Sequence, residues 1–468
     1  NSEKEKLSFR EEIYERLQGR PYPLFISSEH VISAASLWAY VRQWTLFFRE
    51  NGLSEGGCVY TEYTGAVFPA ILIAALRERL NLFIGRKGSF LGFSDKIRPV
   101  HISDIHIGSD LLPSGEADFS GKFSFLETEG IWLLTSGSAG FPRWINLTEK
   151  NIFTVIVSHM KKMNIQEGEK ILSVLPWSHV FGLVIDLMIG LFCGAEIYRI
   201  PGLKDPESIA ATILAENIHH FHCVPLTAEK MMETEKGREA LLFLRGGVIG
   251  GAPVSRRTAE FLKRTRLRVG YGQTEASPGI MLGESGEWDE FFIGRPLGCN
   301  IMINNENILH FSGENAYAAS LSEDGTVEKR REDSVNTGDR VMQEGDRFYF
   351  RGRMHSNFKL GNGLFVEAVL LESRLRENTD SNVFMIFTED YENIQIVSQR
   401  FSEEDSKLIR EIFGNLLPRL ENVYVLDASL WEFNPKGEIL RKKILEKLKT
   451  AGEEQCRIMK YSNHSNFS

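Results

Sequence analysis

The sequence predicts an α/β protein: a large N-terminal α/β region that ends in a β-rich subdomain, followed by a small C-terminal α/β unit. Three observations predict this. Strand-like and helix-like segments alternate through most of the chain, the pattern of a largely parallel sheet covered by helices. Clusters of Gly, Pro and Ser at 246–254 and 270–278 directly follow strand-like segments, where open α/β sheets hold their ligands. From Gly298 to Phe350 the runs shorten and are separated by Gly, Asn and Asp, which marks the β-rich part.

The elements follow in order. Between Ala34 and Glu50, the apolar residues Leu37, Val41, Trp44, Leu46 and Phe47 recur at helical spacing, and Gly52 supplies the stop. A strand is expected over Cys58–Thr64 and a helix over Ala66–Leu80. Ile171–Val174 and Glu196–Ile200 read as strands, Pro206–Glu216 as a helix and His219–Val224 as a strand. A boundary near Arg351–Ser356 divides the chain into an expected domain of residues 1–351 and a second of 352–468. The second ends in the amphipathic helix Glu438–Lys449 and a tail that frays after Gly452.

Composition narrows the function. A chain of 468 residues, 42% hydrophobic, exceeds what one compact core organises, so two or three domains are expected. The net charge of −9 and the dispersal of Lys and Arg among acids provide no basic field, so no nucleic-acid partner is expected. Cys58, Cys193, Cys223, Cys299 and Cys456 are odd in number and form no CxxC pair, which suits a reducing, cytoplasmic compartment. Asn1–Leu17 is charged and lacks the apolar centre of a secretory leader; its start without Met fits processing or trimming. The apolar runs Val67–Leu76 and Val180–Phe192 fall short of the about 20 residues a bilayer requires, so no membrane span is expected.

Leu134-Thr-Ser-Gly-Ser-Ala-Gly-Phe-Pro-Arg143 places three hydroxyls and two glycines in a loop directly after the apolar Ile131–Leu134. Glycines let backbone N–H groups converge on phosphate oxygens, hydroxyls add donors and Arg143 adds charge. The bland reading is a Ser/Gly hairpin turn. His219, His220, His222 and Cys223 invite a zinc reading, but a strand turns His219 away from the other two histidines and no second ligand cluster is present.

The 134–143 loop is similar to the T-S-G-S/T-T-G-x-P-K signature of the adenylate-forming superfamily, which holds acyl- and aryl-CoA synthetases, peptide-synthetase adenylation domains and luciferases. Further matches follow in the family's order. Leu175-Pro-Trp-Ser-His-Val-Phe-Gly-Leu183 resembles L-P-x-x-H-x-x-G-L, and Gly250-Gly-Ala-Pro253 resembles G-G-A-P. Tyr271-Gly-Gln-Thr-Glu275 is similar to Y-G-x-T-E, Thr337-Gly-Asp339 to T-G-D, and Gly352-Arg353 to the G-R at the family's hinge. The resemblance spans about Ala34 to Leu448 and implies an acyl-CoA synthetase-like fold whose C-terminal domain is a mobile lid.

Carried over by motif, the resemblance implies that Thr135, Ser136, Gly137, Ser138, Gly140 and Arg143 cover the ATP phosphates, with Gly250 and Gly251 lining the nucleotide site. It implies that Thr274 contacts the α-phosphate and Glu275 holds Mg²⁺. Tyr271 would lie against adenine, and Asp339 and Arg353 would bind the ribose hydroxyls. His179 would line the acyl or pantetheine tunnel. The implied reaction activates a fatty or aryl carboxylic acid as acyl-AMP and transfers it to CoA or to phosphopantetheine on an acyl carrier protein. Trp177-Ser178-His179 offers no acid to pair with an α-ammonium, so an amino-acid substrate is not expected.

One departure bears on catalysis. Where the family has P-x-x-G-K or P-N-G-K, whose lysine bridges carboxylate and α-phosphate, this chain has Pro435-Lys436-Gly437-Glu438. Each unit-charge contact there is worth roughly 4 kcal/mol at about 4 Å and an effective dielectric near 20, so Glu438 repels both anionic reactants. Arg143 stands for the loop lysine, Trp144 for a common glycine, and His355 for the hinge Asp or Lys. Lys436 is the candidate replacement cation. The alternatives are an adenylation-deficient relative limited to the thioester half-reaction or to binding nucleotide or acyl-AMP, and a non-catalytic scaffold or regulator.

Overall fold

The computed structural model describes residues 8–21, 23–86, 97–103, 107, 110–113, 123–135, 143–322, 324–354, 356–379, 382–434, 438–452 and 454–461. Two sheets carry the parallel architecture. One runs His220–Phe221, Lys170–Ser173, Glu196–Arg199, Pro23–Ile26, Val31–Ser33, parallel except for the last pair. The other runs Val327–Lys329, Ala319–Leu321, Arg143–Leu147, Gly130–Thr135, Asn81–Ile84, Cys58–Thr61, Val100–Ile102, and its last four strands are parallel. Their facing surfaces bury helices Ala34–Glu50, Phe68–Arg77 and Glu149–Met163 in one core that includes Trp44, Phe68 and Trp177. Phe68–Arg77 has nine buried residues in ten, so it reads as uniformly apolar instead of striped.

The β-rich region is divided between sheets. An eight-stranded sheet starts at Val248–Gly250 and Arg268–Gly272, well before Gly298, and continues through Gly279–Leu282, Phe292–Pro296, Arg347–Arg353, Val335–Glu344, Ile308–Ser312 and Asn300–Ile303. Ala319–Leu321 and Val327–Lys329 leave it and extend the seven-stranded sheet by pairing on Arg143–Leu147. Alternation within a strand reports which side is buried, not which strand lies beside it, so the sequence carried no signal for this split.

From Phe358 onward the chain builds its own core around Leu360, Leu375, Ile386, Ile396 and Val423. Its four-stranded sheet runs Phe384–Phe387, Ile394–Ser398, Leu420–Leu426, Cys456–Lys460. Glu372, its side chain 11% exposed, pairs with Arg441 and accepts the Ile386 N–H. The last helix is Arg441–Thr450, shorter than the expected Glu438–Lys449. Asn434 N–H donates to Glu438 O, and Phe433 forms an antiparallel bridge with Ile439, so Glu438 is held in this pairing and the helix starts after it. The expected strand Cys58–Thr64 stops at Thr61, and the helix expected over Ala66–Leu80 is Phe68–Arg77.

Among the described residues no helix is long and apolar enough to cross a membrane. Val180–Phe192 is instead a buried helical segment, Phe181–Met188 with i→i+5 bonding followed by Ile189–Cys193. The five cysteines are free thiols. His219 Nδ1 accepts the Lys170 N–H, His220 pairs with Glu169 at 2.6 Å, and His222 Nδ1 accepts the Val248 N–H.

Candidate functional site

Strand Arg268–Gly272 delivers Tyr271 to its C-terminal end, and a 3₁₀ turn over Thr274–Ala276 follows at once. The chain turns that tightly because residue 272 has no side chain: a Cβ on Gly272 would lie 1.7 Å from Pro278 O. The parallel neighbour, Val248–Gly250, ends in the Gly250-Gly251 loop. There a Cβ on Gly250 would meet Gly270 O at 2.6 Å, so this pair of strands also requires glycine for close approach.

The antiparallel pair Val335–Glu344 and Arg347–Arg353 brings Asp339 opposite Arg353. Asp339 is 3% exposed. Its Oδ1 lies 3.2 Å from Arg353 Nε and its Oδ2 accepts the Tyr271 hydroxyl at 2.7 Å. The Asp339 N–H donates to Thr337 Oγ1, whose hydroxyl donates to Leu309 O. Burial first, then the Asp339 carboxylate, pushes the Tyr271 phenol well above its usual value, so it stays a donor. Asp339 in turn raises Arg353 most, against burial, with Glu438, Tyr271 and Glu275 adding to it.

Glu275 is partly buried beside this cluster. Burial raises its carboxyl, opposed by its own backbone N–H and then by Arg353 and Arg143. Its carbonyl accepts the Tyr317 N–H at 2.8 Å, which ties the turn to the segment before Ala319–Leu321. A carboxylate poised between burial and two cations fits a divalent-cation ligand, because added positive charge relieves its desolvation. Among the described residues no group of three or more His, Cys, Asp or Glu is arranged to hold a metal ion.

The remaining predicted residues distribute as follows. Thr135 ends strand Gly130–Thr135, and its hydroxyl donates to Arg143 O at 3.2 Å. The Arg143 guanidinium engages the Ser320 hydroxyl and lies 3.4 Å from Glu328, contacts the sequence did not suggest. Ser136, Gly137, Ser138 and Gly140 lie outside the described residues, as do Lys436 and His355. His179 lies at the end of Leu175–His179, where Nε2 meets Arg86 Nη2. Arg86 was not singled out from sequence. Its signal was its position two residues after the buried parallel strand Asn81–Ile84, at the end where such sheets bind ligands. Burial lowers its guanidinium. Glu438 comes from the C-terminal unit, and its Oε2 accepts the Asn434 side-chain amide at 2.6 Å.

A family model described as AMP-binding enzyme matches residues 131–311. The putative acyl-CoA synthetase YngI of Bacillus subtilis is 27% identical over 172 residues, covering 35% of this chain and 31% of that protein. The D-alanine–D-alanyl carrier protein ligase of Bacillus cytotoxicus is 23% identical over 362 residues, covering 69% and 71%. The match thus spans about a third of the first relative's length and about seven-tenths of the second's. Among solved structures, ATP-bound MatB from Rhodopseudomonas palustris superposes with a TM-score of 0.78 at 14% identity, covering 94% of this chain and 99% of that one. At that identity the likeness is one of fold.

Proposed function

The chain has the fold of the adenylate-forming superfamily and carries its AMP-binding region, and from that premise we propose that it is an acid–thiol ligase. It activates a fatty or aryl carboxylic acid with ATP and passes the acyl group to the thiol of CoA or of a carrier protein's phosphopantetheine. The observation that carries this reading is the Tyr271–Asp339–Arg353 cluster beside Glu275. Asp339, oriented by a phenol and a guanidinium, is an acceptor suited to two vicinal ribose hydroxyls. Thr274, Thr135 and residues 136–140 are the donors proposed for the phosphates, with Arg143 as their cation and the Gly250-Gly251 loop as a wall.

In the first half-reaction a carboxylate oxygen attacks the α-phosphorus and the bond to the β-phosphate oxygen breaks, releasing pyrophosphate. Two anions approach, so fixed positive charge sets the rate. Glu275 is the residue proposed to hold Mg²⁺, which supplies charge neutralisation when bound. In the second, the thiol sulfur attacks the acyl carbon and AMP leaves, with His179 lining that approach. The compartment is proposed to be the reducing cytoplasm, which the five free thiols suit.

Glu438 favours a second reading, in which adenylation is weak and the protein works mainly in the thioester half-reaction or as a nucleotide-binding regulator. Its carboxylate adds negative charge at Arg353. ATP–pyrophosphate exchange across a panel of fatty, aryl and amino acids separates the two: exchange with a fatty or aryl acid supports the ligase. ATP binding without exchange for any acid supports the second reading.

A further inference from the structure

Beneath the segment that ends in His179 lies a buried charged network. Ser173, Trp177 and Asp186 are 0% exposed and Arg199 4%. Arg199 Nη1 donates to Leu175 O at 2.6 Å and to Ser173 Oγ at 3.1 Å, and the guanidinium carbon lies 4.0 Å from the centre of the Trp177 ring. Trp177 Nε1 donates to Ser173 Oγ at 3.2 Å, and the Ser173 hydroxyl donates to Asp186 Oδ2 at 2.9 Å. Ser173 therefore uses its two acceptor sites and its proton in one place. The Leu175 carbonyl is held by Arg199, which is itself tied to Ser173, so this peptide segment is anchored to the network.

The same helix presses on the same segment elsewhere. Leu183 N–H donates to His179 O at 2.8 Å, and a Cβ on Gly182 would meet Pro176 O at 2.5 Å. Asp186 Oδ1 and Arg199 Nε find no hydrogen-bond partner among the described residues, so the hydrogen-bonded link between the two side chains runs through Ser173. A network this deeply buried is costly unless every link is made. A purely apolar filling would pack the space without that cost.

We infer that Asp186 is a positioning residue for the acyl site: acting through Ser173 and Arg199, it sets the placement of Leu175–His179 and hence of His179 against Arg86. The inference rests on the reading above that His179 lines the acyl and thiol approach. The groups that face Asp186 are Arg199, from the strand end Glu196–Arg199, and the Cys223 thiol, which burial keeps protonated. Burial pushes the Asp186 carboxyl up to about 8, against the pull of Ser173 and Arg199. The ionised form tightens the grip on Leu175 as pH rises through that value, and the protonated form loosens it.

The test is the pH dependence of the KM for the acid, with the KM for ATP and tryptophan fluorescence measured alongside, in the wild type and in Asp186→Asn. In the wild type the KM for the acid is expected to fall by about tenfold between about pH 7 and pH 9, the size of one buried charged link, without a parallel change in the KM for ATP. Asp186→Asn should hold the KM at its low-pH value throughout and abolish a fluorescence transition near pH 8 from Trp177. If Asp186→Asn fails to fold, Ser173→Ala, which cuts the link and leaves both charges, is expected to remove the same step. An identical pH profile in the substituted protein overturns the inference, as does a fluorescence transition with no accompanying change in KM. If no acid is activated at all, the ligase reading fails, while the fluorescence transition and its loss in Asp186→Asn still decide whether the network titrates.

Discussion

Arg353 Nε lies 3.2 Å from Asp339 Oδ1, and the charge of Glu438 reaches the same guanidinium from the C-terminal unit. One arginine thus answers to the strand that carries the proposed ribose acceptor and to the turn that carries the departure from the family. Contacts farther out join the same two parts. Arg256 N–H donates to Glu377 at 2.9 Å, and Arg376 lies 3.7 Å from Glu229.

Nucleotide binding should depend on Asp339. ATP at a hundredfold its Kd stabilises the native state by about 2.7 kcal/mol. A shift of that kind in thermal unfolding is expected for the wild type and should vanish in Asp339→Ala. Tyr271→Phe, which removes one donor and leaves the ring, should weaken binding by about 1 to 3 kcal/mol. Calorimetry reporting no ATP or AMP binding to the wild type would remove the foundation of the proposed function.

Charge at position 438 should govern the first half-reaction. If the site is degenerate, Glu438→Lys raises pyrophosphate exchange by about 10² to 10³, the value of one transition-state charge contact, and Lys436→Ala changes nothing. If Lys436 is a displaced catalytic lysine, Lys436→Ala abolishes exchange and Glu438→Ala changes it little. Brisk wild-type exchange that survives Lys436→Ala contradicts both and directs mutation to Lys442 and Lys443, of which Lys443 already pairs with Glu432 at 2.7 Å.

The acid that exchanges is expected to be apolar or aromatic. The run Trp177-Ser178-His179 itself carries no carboxylate to receive an α-ammonium, and an uncompensated buried charge is strongly unfavourable. Exchange with a free α-amino acid, and none with fatty or aryl acids, would reverse the assignment.

Acid should unfold the protein through its buried histidines. Burial lowers His159 to about 4 and His222 to about 3. Both folded values lie below the unfolded value near 6.5, so the unfolded state binds the protons first and stability falls as pH drops from about 6.5 toward those values. Each pKa unit corresponds to about 1.4 kcal/mol. Denaturant melts between about pH 7 and pH 4.5 should show this slope, and His222→Gln, whose side-chain oxygen can still accept the Val248 N–H, should flatten it.

Removing Glu372 should destabilise the C-terminal unit. Its partly buried carboxylate neutralises Arg441 and accepts the Ile386 N–H, and breaking one side of a fully buried pair costs about 3 to 5 kcal/mol, an upper bound here. Glu372→Ala should therefore lower the unfolding midpoint of this unit, followed by hydrogen exchange at strand Phe384–Phe387, while the Glu372→Ala, Arg441→Leu double variant recovers part of the loss.

By itself the sequence determined the fold class, the order of the motifs and the residue types at the proposed nucleotide site. Those are local properties: glycine where backbone must approach backbone, alternation of strand and helix, and short polar runs at strand ends. Gly272 is legible because the clash a side chain would meet lies six residues away. Tertiary structure alone decided which side chains meet. Tyr271 reaches Asp339 across 68 residues, and Arg143 reaches Ser320 across 177. The split of the β-rich region between two sheets and the Arg86–His179 contact are of the same kind. So is the network under Leu175, where Asp186 reads in sequence only as a lone charge in an apolar run. Periodicity records which face of an element is buried, and the partner across that face is chosen by packing over the whole chain.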